Sequence, residues 1–162
     1  MVNAVETAIK LEETHVFMEL ADPDSDDGKR VLEQLSATLL RLTGCSGVAS
    51  FRPEYVASER SCFVIARDQY GKLIGCCALR EMSQEVGEVK RMFAAPHTNS
   101  GAKILGFIEE QARHFGYSQL RLATRRVNQR AMNFYSRQLF VEIKNYDGYS
   151  GRDEFICYAK NL

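Results

Sequence analysis

The sequence predicts an α+β fold in which a mixed, mostly antiparallel sheet is flanked by helices. Three strand-like runs, "CFVIARD", "KLIGCCALREM" and "GEVKRMFAAP", are separated by short turns, which is typical of antiparallel hairpins. Apolar residues then recur at helical spacing over 102–116, between strand-like runs at 87–95 and 117–124. This step predicts one right-handed parallel strand–helix–strand crossover. The chain of 162 residues, 45% hydrophobic and 26% charged, is expected to form a single domain over 1–162.

The elements before the hairpins are less uniform. The first fourteen residues predict either a frayed arm or a short helix, and "HVFMEL" follows as a strand. The Asp-rich stretch "ADPDSDDG" favours a helix cap and solvated turn over a metal site, because its spacing lacks the later Gly and Glu of a calcium loop. A helix with leucines at helical spacing then ends at Thr43–Gly44. Residues 45–61 are mixed and receive no assignment.

After the crossover, the pattern predicts one more helix and two more strands. "NQRAMNFYSRQ" is helical, with Asn128 at a capping position. "LFVEIKNY" and "EFICYAK" are strands on either side of the turn "DGYSGRD". This order places helices on both faces of the sheet.

Composition argues against several classes of function. A formal net charge of zero gives no support to nucleic-acid binding through bulk charge. The five cysteines contain no CxxC pair, and adjacent Cys76 and Cys77 should face opposite sides of a strand, which favours reduced, buried thiols in a cytoplasmic protein. The three histidines have no zinc-like spacing, so no metal is expected. No signal peptide or long apolar run is present, which argues against a membrane location.

The stretch "PHTNSGAKILG", residues 96–106, is the candidate binding loop. It connects a strand to a helix, so several backbone N–H groups and the helix dipole converge on one point. Ser100, Gly101 and Ala102 are small enough to let a phosphate approach the backbone, and Lys103 follows them. Taken alone, this loop is weak evidence for a phosphate site.

The neighbouring motifs make the sequence resemble the GNAT superfamily of acetyl-CoA-dependent N-acetyltransferases over roughly residues 14–160. "HTNSGA" at 97–102 takes the place of that family's Q/R-x-x-G-x-G/A loop. "NQRAMNFY" at 128–135 fits its N-x-x-A-x-x-x-Y pattern. The second motif and the order of elements are the specific parts of the resemblance.

The resemblance implies a set of residues that bind acetyl-CoA as co-substrate. The backbone of the strand before the loop would pair with the pantetheine arm, and the loop backbone would bind the pyrophosphate. Asn128 would contact the pantetheine side. The implied binding residues are Met92, Phe93, Ala94, Asn99, Ser100, Gly101, Ala102, Lys103 and Asn128.

The resemblance also implies direct attack of a primary amine on the thioester, with Tyr135 as general acid on the departing thiolate. Glu88 is the candidate base, with Glu85 as the runner-up; a solvated strand-edge position is the structural alternative for Glu88. His97 either acts as a base or, as favoured here, caps the loop or faces solvent. Tyr135 as a core residue and Asn128 as only a helix cap stay open as alternatives.

Three positions depart from the family pattern. His97 replaces Gln or Arg, Ser100 replaces the first loop Gly, and Leu139–Phe140 replaces Gly-Phe. Serine would be strained only if its φ were positive. The competing hypothesis is therefore a non-catalytic module that binds or senses acyl-CoA through a degenerate loop.

The acceptor is a small-molecule amine or an amine of a protein or peptide, and a homodimer is compatible with the resemblance. In the family, the acceptor is selected by segments that correspond here to 25–60 and 144–153. "NYDGYSGRDE" offers aromatic and acidic side chains suited to a cationic amine, although an ordinary glycine-bearing turn is the favoured interpretation.

Overall fold

A computed structural model describes residues 15–162, and the predicted arm or helix over the first fourteen residues lies outside this part of the chain. The described chain forms a seven-stranded sheet in the order β1-β2-β3-β4-β5-β7-β6. Every neighbouring pair is antiparallel except β4 and β5, so the predicted fold class and its parallel crossover are confirmed. The strands are β1 (Phe17–Leu20), β2 (Cys62–Arg67), β3 (Leu73–Glu81), β4 (Val86–Ala94), β5 (Gln119–Arg125), β6 (Val141–Ile143) and β7 (Phe155–Asn161). The helices are α1 (Asp26–Thr43), α2 (Gly101–His114) and α3 (Gln129–Arg137).

The ends of α1 are set by local chemistry that the sequence signals directly. The hydroxyl of Ser25 caps its N-terminus by accepting a hydrogen bond from the Gly28 N–H at 3.1 Å. Asp26 and Asp27 occupy the first turn, where the helix dipole favours acidic side chains. Gly44 ends the helix with a φ of 74°, a left-handed conformation that glycine adopts without a steric penalty. The Asp-rich stretch is therefore a cap and turn.

Two hydrophobic clusters lie on opposite faces of the sheet and confirm the helices on both sides. Val31 and Leu35 of α1 pack with Phe63 and Ile65 of β2 in one cluster. On the other face, α2 contributes its buried apolar side to a larger cluster. Members of that cluster include Val64, Ala66, Ile104, Leu105, Ile108 and Leu120. The alternation along β2 follows the two-residue period of a strand, and Cys76 and Cys77 also face opposite sides.

Two irregularities in β4 shape the site. Pairing between β4 and β5 covers only Val86 to Glu88 opposite Gln119 to Arg121, so the two strands diverge beyond that point. The register between β4 and β3 also shifts between the pairs Cys76–Phe93 and Ala78–Lys90. Arg91 lies within this bulge with a φ of 52°. The bulge and the divergence together open the sheet on the side of the loop that leads to α2.

Two expectations need correction, and one unassigned stretch is now described. Cys45 is exposed, whereas the other four cysteines are buried as expected. The strand predicted from "LFVEIKNY" is only three residues long, because Leu139 adopts a φ of 68° and Asn145 turns the chain with hydrogen bonds to three backbone carbonyls. The unassigned stretch 45–61 contains two 3-10 turns, Val48–Ser50 and Pro53–Val56.

Candidate active site

A pocket of about 420 Å³ lies beside the loop between β4 and α2, and we call it the loop pocket. It brings together eight of the nine residues implied to bind the coenzyme. These are Met92, Phe93, Ala94, Asn99, Ser100, Gly101, Ala102 and Asn128. The ninth, Lys103, has an exposed side chain on the first turn of α2 and is outside this lining. The residues implied by the resemblance therefore lie together in one part of the pocket wall.

The backbone of the loop alternates between left-handed and right-handed conformations. His97 and Asn99 have φ values of 63° and 51°, whereas Ser100 has a φ of −81°. The position of the missing glycine is therefore unstrained for serine. Alternation of this kind turns successive N–H groups toward one point and forms an anion-binding concavity. The left-handed conformation falls at Asn99, a residue type that tolerates it better than most.

The side chain of Ser100 is fully buried and anchors the loop from within. Its Oγ lies 2.6 Å from the Oγ1 of Thr98, and that hydroxyl donates a 2.7 Å hydrogen bond to the carbonyl of Ala95. Gly101 follows at the start of α2, where an added Cβ would lie 3.1 Å from the ring of Phe134. The small residue at position 101 therefore lets the start of α2 lie close to α3, which carries the second motif.

Asn128 has the capping role that was weighed for it. Its Oδ1 accepts a hydrogen bond from the Ala131 N–H at 3.1 Å and so caps α3. The residue is only 8% exposed and lines the loop pocket. Because the cap occupies the carbonyl oxygen, the two N–H donors of the amide are left for the pocket side. Capping and ligand contact are therefore compatible at this position.

Two arginines that the sequence analysis missed also line the loop pocket. Arg130 and Arg137 are exposed on α3 and are seven residues apart, so they lie on the same face of the helix. They supply positive charge at the mouth of a pocket whose loop replaces an expected Arg or Gln with His97. The signal in the sequence was this spacing within the helix that Asn128 caps.

A second pocket of about 510 Å³, which we call the chamber, opens where β4 and β5 diverge. Its wall includes Glu88, Lys90, Arg125 and Tyr149, together with residues after α1. The chamber and the loop pocket share the side chains of Leu35, Leu39, Met92, Asn128, Ala131 and Tyr135. The two spaces therefore adjoin at the centre of the molecule, with Tyr135 in the wall between them.

Tyr135 is buried in the core and also borders both spaces. Its ring packs against Phe134, Phe140 and Tyr158 with centroid separations of 5.2, 5.6 and 6.2 Å. Burial raises the pKa of its hydroxyl well above the ordinary value, with a smaller contribution from Cys77. The phenol is therefore protonated at neutral pH and is available as a hydrogen-bond donor.

Glu88 is buried, so the structural alternative of a solvated strand-edge position is wrong. Only 3% of the residue is exposed, because the turn after β6 covers it. Its Oε2 accepts a 2.7 Å hydrogen bond from the hydroxyl of Tyr146. Its Oε1 lies 3.4 Å from Arg80 Nη1 and 3.5 Å from Lys90 Nζ. Glu88 is also the last β4 residue paired with β5, which places its carboxylate at the inner end of the chamber.

The other two candidate bases lie elsewhere. Glu85 is exposed in the turn before β4, where its carbonyl accepts hydrogen bonds from the N–H groups of Ser118 and Gln119. This position is at the opposite end of β4 from the loop. His97 is exposed at the rim of the loop pocket, in agreement with the interpretation that it faces solvent.

The turn predicted from "DGYSGRD" forms a wall of the chamber. Asp147, Gly148, Tyr149 and Arg152 all line it, and Tyr146 contacts Glu88. The interpretation as an ordinary turn is therefore incomplete. A 3-10 turn over Asp147–Tyr149 brings the Tyr149 hydroxyl within 3.1 Å of Lys90 Nζ.

The sequence profile of the Acetyltransferase (GNAT) family matches residues 28–139, which is more than half of the chain. This chain belongs to the GNAT acetyltransferase family. The matched region contains β4, the loop, α2 and the helix that carries Tyr135. No curated protein sequence matches the chain significantly.

Solved structures agree on the fold of this GNAT domain. A protein from Klebsiella pneumoniae assigned to the acyl-CoA N-acyltransferases has a TM-score of 0.75 at 21% identity, with 91% of this chain and 97% of that chain covered. A GNAT family acetyltransferase from Staphylococcus aureus has a TM-score of 0.72 at 17% identity, with 91% and 99% covered. One from Elizabethkingia anophelis, solved with acetyl-CoA bound, has a TM-score of 0.65 at 16% identity, with 91% and 98% covered.

Two further properties concern only residues 15–162. In this range, no group of three or more His, Cys, Asp or Glu side chains is arranged to hold a metal ion. None of the helices in the same range is both long and apolar enough to span a membrane.

Proposed function

We propose that this GNAT protein is an N-acetyltransferase that transfers the acetyl group of acetyl-CoA to a primary amine. The observation that carries this proposal is that two pockets adjoin at Tyr135. One is the loop pocket, whose backbone is suited to anions, and the other is the chamber, which Glu88 lines. A transferase with two substrates needs such adjoining spaces, because donor and acceptor must meet without a covalent enzyme intermediate. The acetyl-CoA bound to the E. anophelis structure gives the donor its precedent.

The loop pocket fits the chemistry of the coenzyme. The alternating backbone of the loop and the start of α2 provide N–H donors for a pyrophosphate. Arg130 and Arg137 add positive charge at the mouth. Where β4 diverges from β5, the β4 edge from Val89 to Ala94 is available to the amide groups of a pantetheine arm. Coenzyme A supplies the activated thioester, and these residues would orient it.

Tyr135 is proposed as the general acid. The amine nitrogen attacks the carbonyl carbon of the thioester, the C–S bond then breaks, and the sulfur leaves with the bonding electron pair. Tyr135 lines both pockets, which supports its hydroxyl as the group that gives this thiolate a proton. Burial raises the pKa of Tyr135, so its hydroxyl carries a proton at neutral pH that it can donate to the thiolate.

Glu88 is proposed as the group that receives the proton of the attacking amine, directly or through water. Its carboxylate lies in the wall of the chamber that adjoins Tyr135. Arg80 and Lys90 contact one of its oxygens, and the hydrogen bond from Tyr146 to the other fixes its orientation. A carboxylate held in this way is suited to accept a proton.

The test has two independent parts. Calorimetry with acetyl-CoA measures binding at the loop pocket, and release of free thiol in the presence of an amine panel measures transfer. Because Cys45 is exposed, a blank without amine must correct for reaction of the protein's own thiol. Binding together with amine-dependent thiol release is expected. Binding without release for any amine would instead support a module that senses acyl-CoA.

A further inference from the structure

We propose that the acceptor amine of this enzyme also carries an anionic oxygen group, a carboxylate or a phosphate, which the chamber binds through Arg125 and its cationic neighbours. This inference rests on the proposed acetyl transfer and names its substrate class. It differs from both interpretations of the 144–153 turn, the favoured ordinary turn and the alternative of a site for a cationic amine. Amino acids and phosphorylated amino sugars belong to the class, whereas polyamines do not.

The charges in the chamber wall favour an anion. Five cationic side chains line it, against the carboxylates of Glu88 and Asp147. The five cations are Arg80, Lys90, Arg91, Arg125 and Arg152. Counting Glu154 as well, because it pairs with Arg152 at 3.0 Å, five cations face three carboxylates and leave an excess of two. In a partly enclosed space such an excess attracts an anionic ligand and repels a dication.

Most of these cations already have partners, which identifies the ones that remain for a ligand. Arg80 and Lys90 both form an ion pair with the carboxylate of Glu88. Arg91 donates to Ser36 Oγ at 2.6 Å and to the carbonyl of Ser46 at 3.0 Å, so its fork is used to hold the bulge. Arg91 is therefore structural, which leaves Arg125 as the cation available to a ligand.

Arg125 is the least satisfied cation in the chamber wall. Within the described part of the chain, its Nε is the one buried side-chain nitrogen or oxygen that lacks a hydrogen-bond partner. Its guanidinium carbon lies 5.4 Å from the centroid of the Phe155 ring, which steadies the side chain without using its donors. A buried donor left without a partner is costly, so a guanidinium in this setting is suited to a ligand oxygen.

The position of Arg125 suits a substrate with two ends. It is the last residue of β5, on the strand that diverges from β4 after the Glu88–Arg121 pair. Glu88 and Tyr135 line the same chamber from β4 and α3. An acceptor can thus place its amine by the proposed acid and base while its anionic group contacts Arg125.

Binding of reaction products tests the inference without requiring turnover. The probes are two matched pairs: N-acetylphenylalanine against its amide, and N-acetylglucosamine 6-phosphate against N-acetylglucosamine. Each is titrated by calorimetry into the full chain, with and without CoA. We expect the anionic member of at least one pair to bind about tenfold or more tightly, and the pair that shows it identifies carboxylate or phosphate.

Two variants localise the effect. Arg125→Gln should reduce the preference for the anionic probe to about threefold or less. Arg126→Gln is the matched control, because Arg126 is exposed and its guanidinium contacts Asp153 and Glu142 instead. It should keep the full preference. If Arg125→Gln fails to fold, the comparison of probes on the wild-type chain still decides the question.

The outcomes separate this inference from the proposed function. Equal binding of the anionic and neutral members in both pairs would overturn the inference, even if the protein acetylates other amines. A clear preference that vanishes in Arg125→Gln supports it. The protein could prefer the anionic probes and yet release no thiol from acetyl-CoA in the presence of phenylalanine or glucosamine 6-phosphate. That result would support the anion site and count against acetyl transfer.

Discussion

The hydroxyl of Tyr146 donates a 2.7 Å hydrogen bond to Oε2 of Glu88, a residue 58 positions earlier in the chain. This contact joins the turn after β6 to the inner end of the chamber. It also places a protonated phenol beside a carboxylate, and burial together with the charge of Glu88 raises the pKa of Tyr146. The turn that carries Tyr146 therefore covers the proposed base and holds its carboxylate in place.

Tyr146→Phe should lower both stability and activity. Removing the donor leaves a buried carboxylate oxygen without a partner, which costs about 1–3 kcal/mol in the free energy of unfolding. Urea denaturation measures that loss, and thiol release should fall along with it. Tyr70→Phe is the control, because Tyr70 is 86% exposed, and it should change neither quantity. Wild-type stability in Tyr146→Phe would contradict the role of this contact.

Tyr135→Phe should separate binding from chemistry. The ring and its packing stay, so the affinity for acetyl-CoA should change by less than about threefold, while loss of a general acid should reduce kcat about 100-fold. Calorimetry and thiol release give the two values. Tyr117→Phe is a matched buried control whose hydroxyl donates to the Arg60 carbonyl at 2.6 Å, away from the site. It should cost stability and leave kcat unchanged; unchanged kcat in Tyr135→Phe would refute the assignment.

Arg130 and Arg137 should contribute to coenzyme affinity. Arg130→Gln and Arg137→Gln are each expected to weaken acetyl-CoA binding about three- to tenfold, because each removes a charge at the mouth of the loop pocket. The loss should shrink in high salt, since exposed charges are screened. Arg113→Gln, at the far end of α2, is the control and should bind normally. If Arg130→Gln and Arg137→Gln bound acetyl-CoA at low salt as tightly as the wild type and Arg113→Gln, a role for the two arginines would be excluded.

Stability should decline in alkaline solution because buried thiols resist ionisation. Burial raises the pKa of Cys76 from 9.0 to about 12 and that of Cys62 to about 11. The native state then holds protons that the unfolded chain releases, so this stability is present below pH 9 and is lost as the pH rises through the native values. Between pH 8 and pH 10.5, each of these two thiols should lower the free energy of unfolding by about 2 kcal/mol.

Urea unfolding of the wild type and of Cys76→Ala at both pH values measures this effect. The variant should be less stable at pH 8, because it leaves a cavity, yet its decline toward pH 10.5 should be smaller by about 2 kcal/mol. Cys45→Ala, at the exposed cysteine, should decline as the wild type does. Parallel declines for Cys76→Ala and the wild type would show that the Cys76 proton is not involved.

The parts of the site that were predictable depend on neighbours in sequence. A strand, a small-residue turn and a capped helix each leave a local pattern, and the family resemblance implied binding roles for Met92 to Ala94, the loop and Asn128 within those elements. The conformation of the loop was not predictable from that pattern: the positive φ values that would strain a serine occur at His97 and Asn99, and Ser100 has a negative φ. Which residue takes a positive φ depends on contacts such as the Ser100–Thr98 pair.

The burial of Glu88 could not be read from its own strand. A glutamate in a strand normally faces solvent, and its cover comes from Tyr146 and its charge partners from Arg80 and Lys90. Arg130 and Arg137 were overlooked for the opposite reason, because exposed helical arginines usually form a solvated face. Their place in the lining of the loop pocket is visible only in the structure.

The short joint between β4 and β5 has a further consequence. Three residue pairs link a four-stranded half of the sheet to a three-stranded half, so the proposed cleft opens at the seam where this pairing ends. Brief opening along this seam would expose the amides of both strands to hydrogen exchange without global unfolding. A coenzyme lodged in the gap stabilises the folded chain by mass action, as RT ln(1 + [L]/Kd). The stability of the folded protein would then rise with the concentration of acetyl-CoA, its proposed acetyl donor.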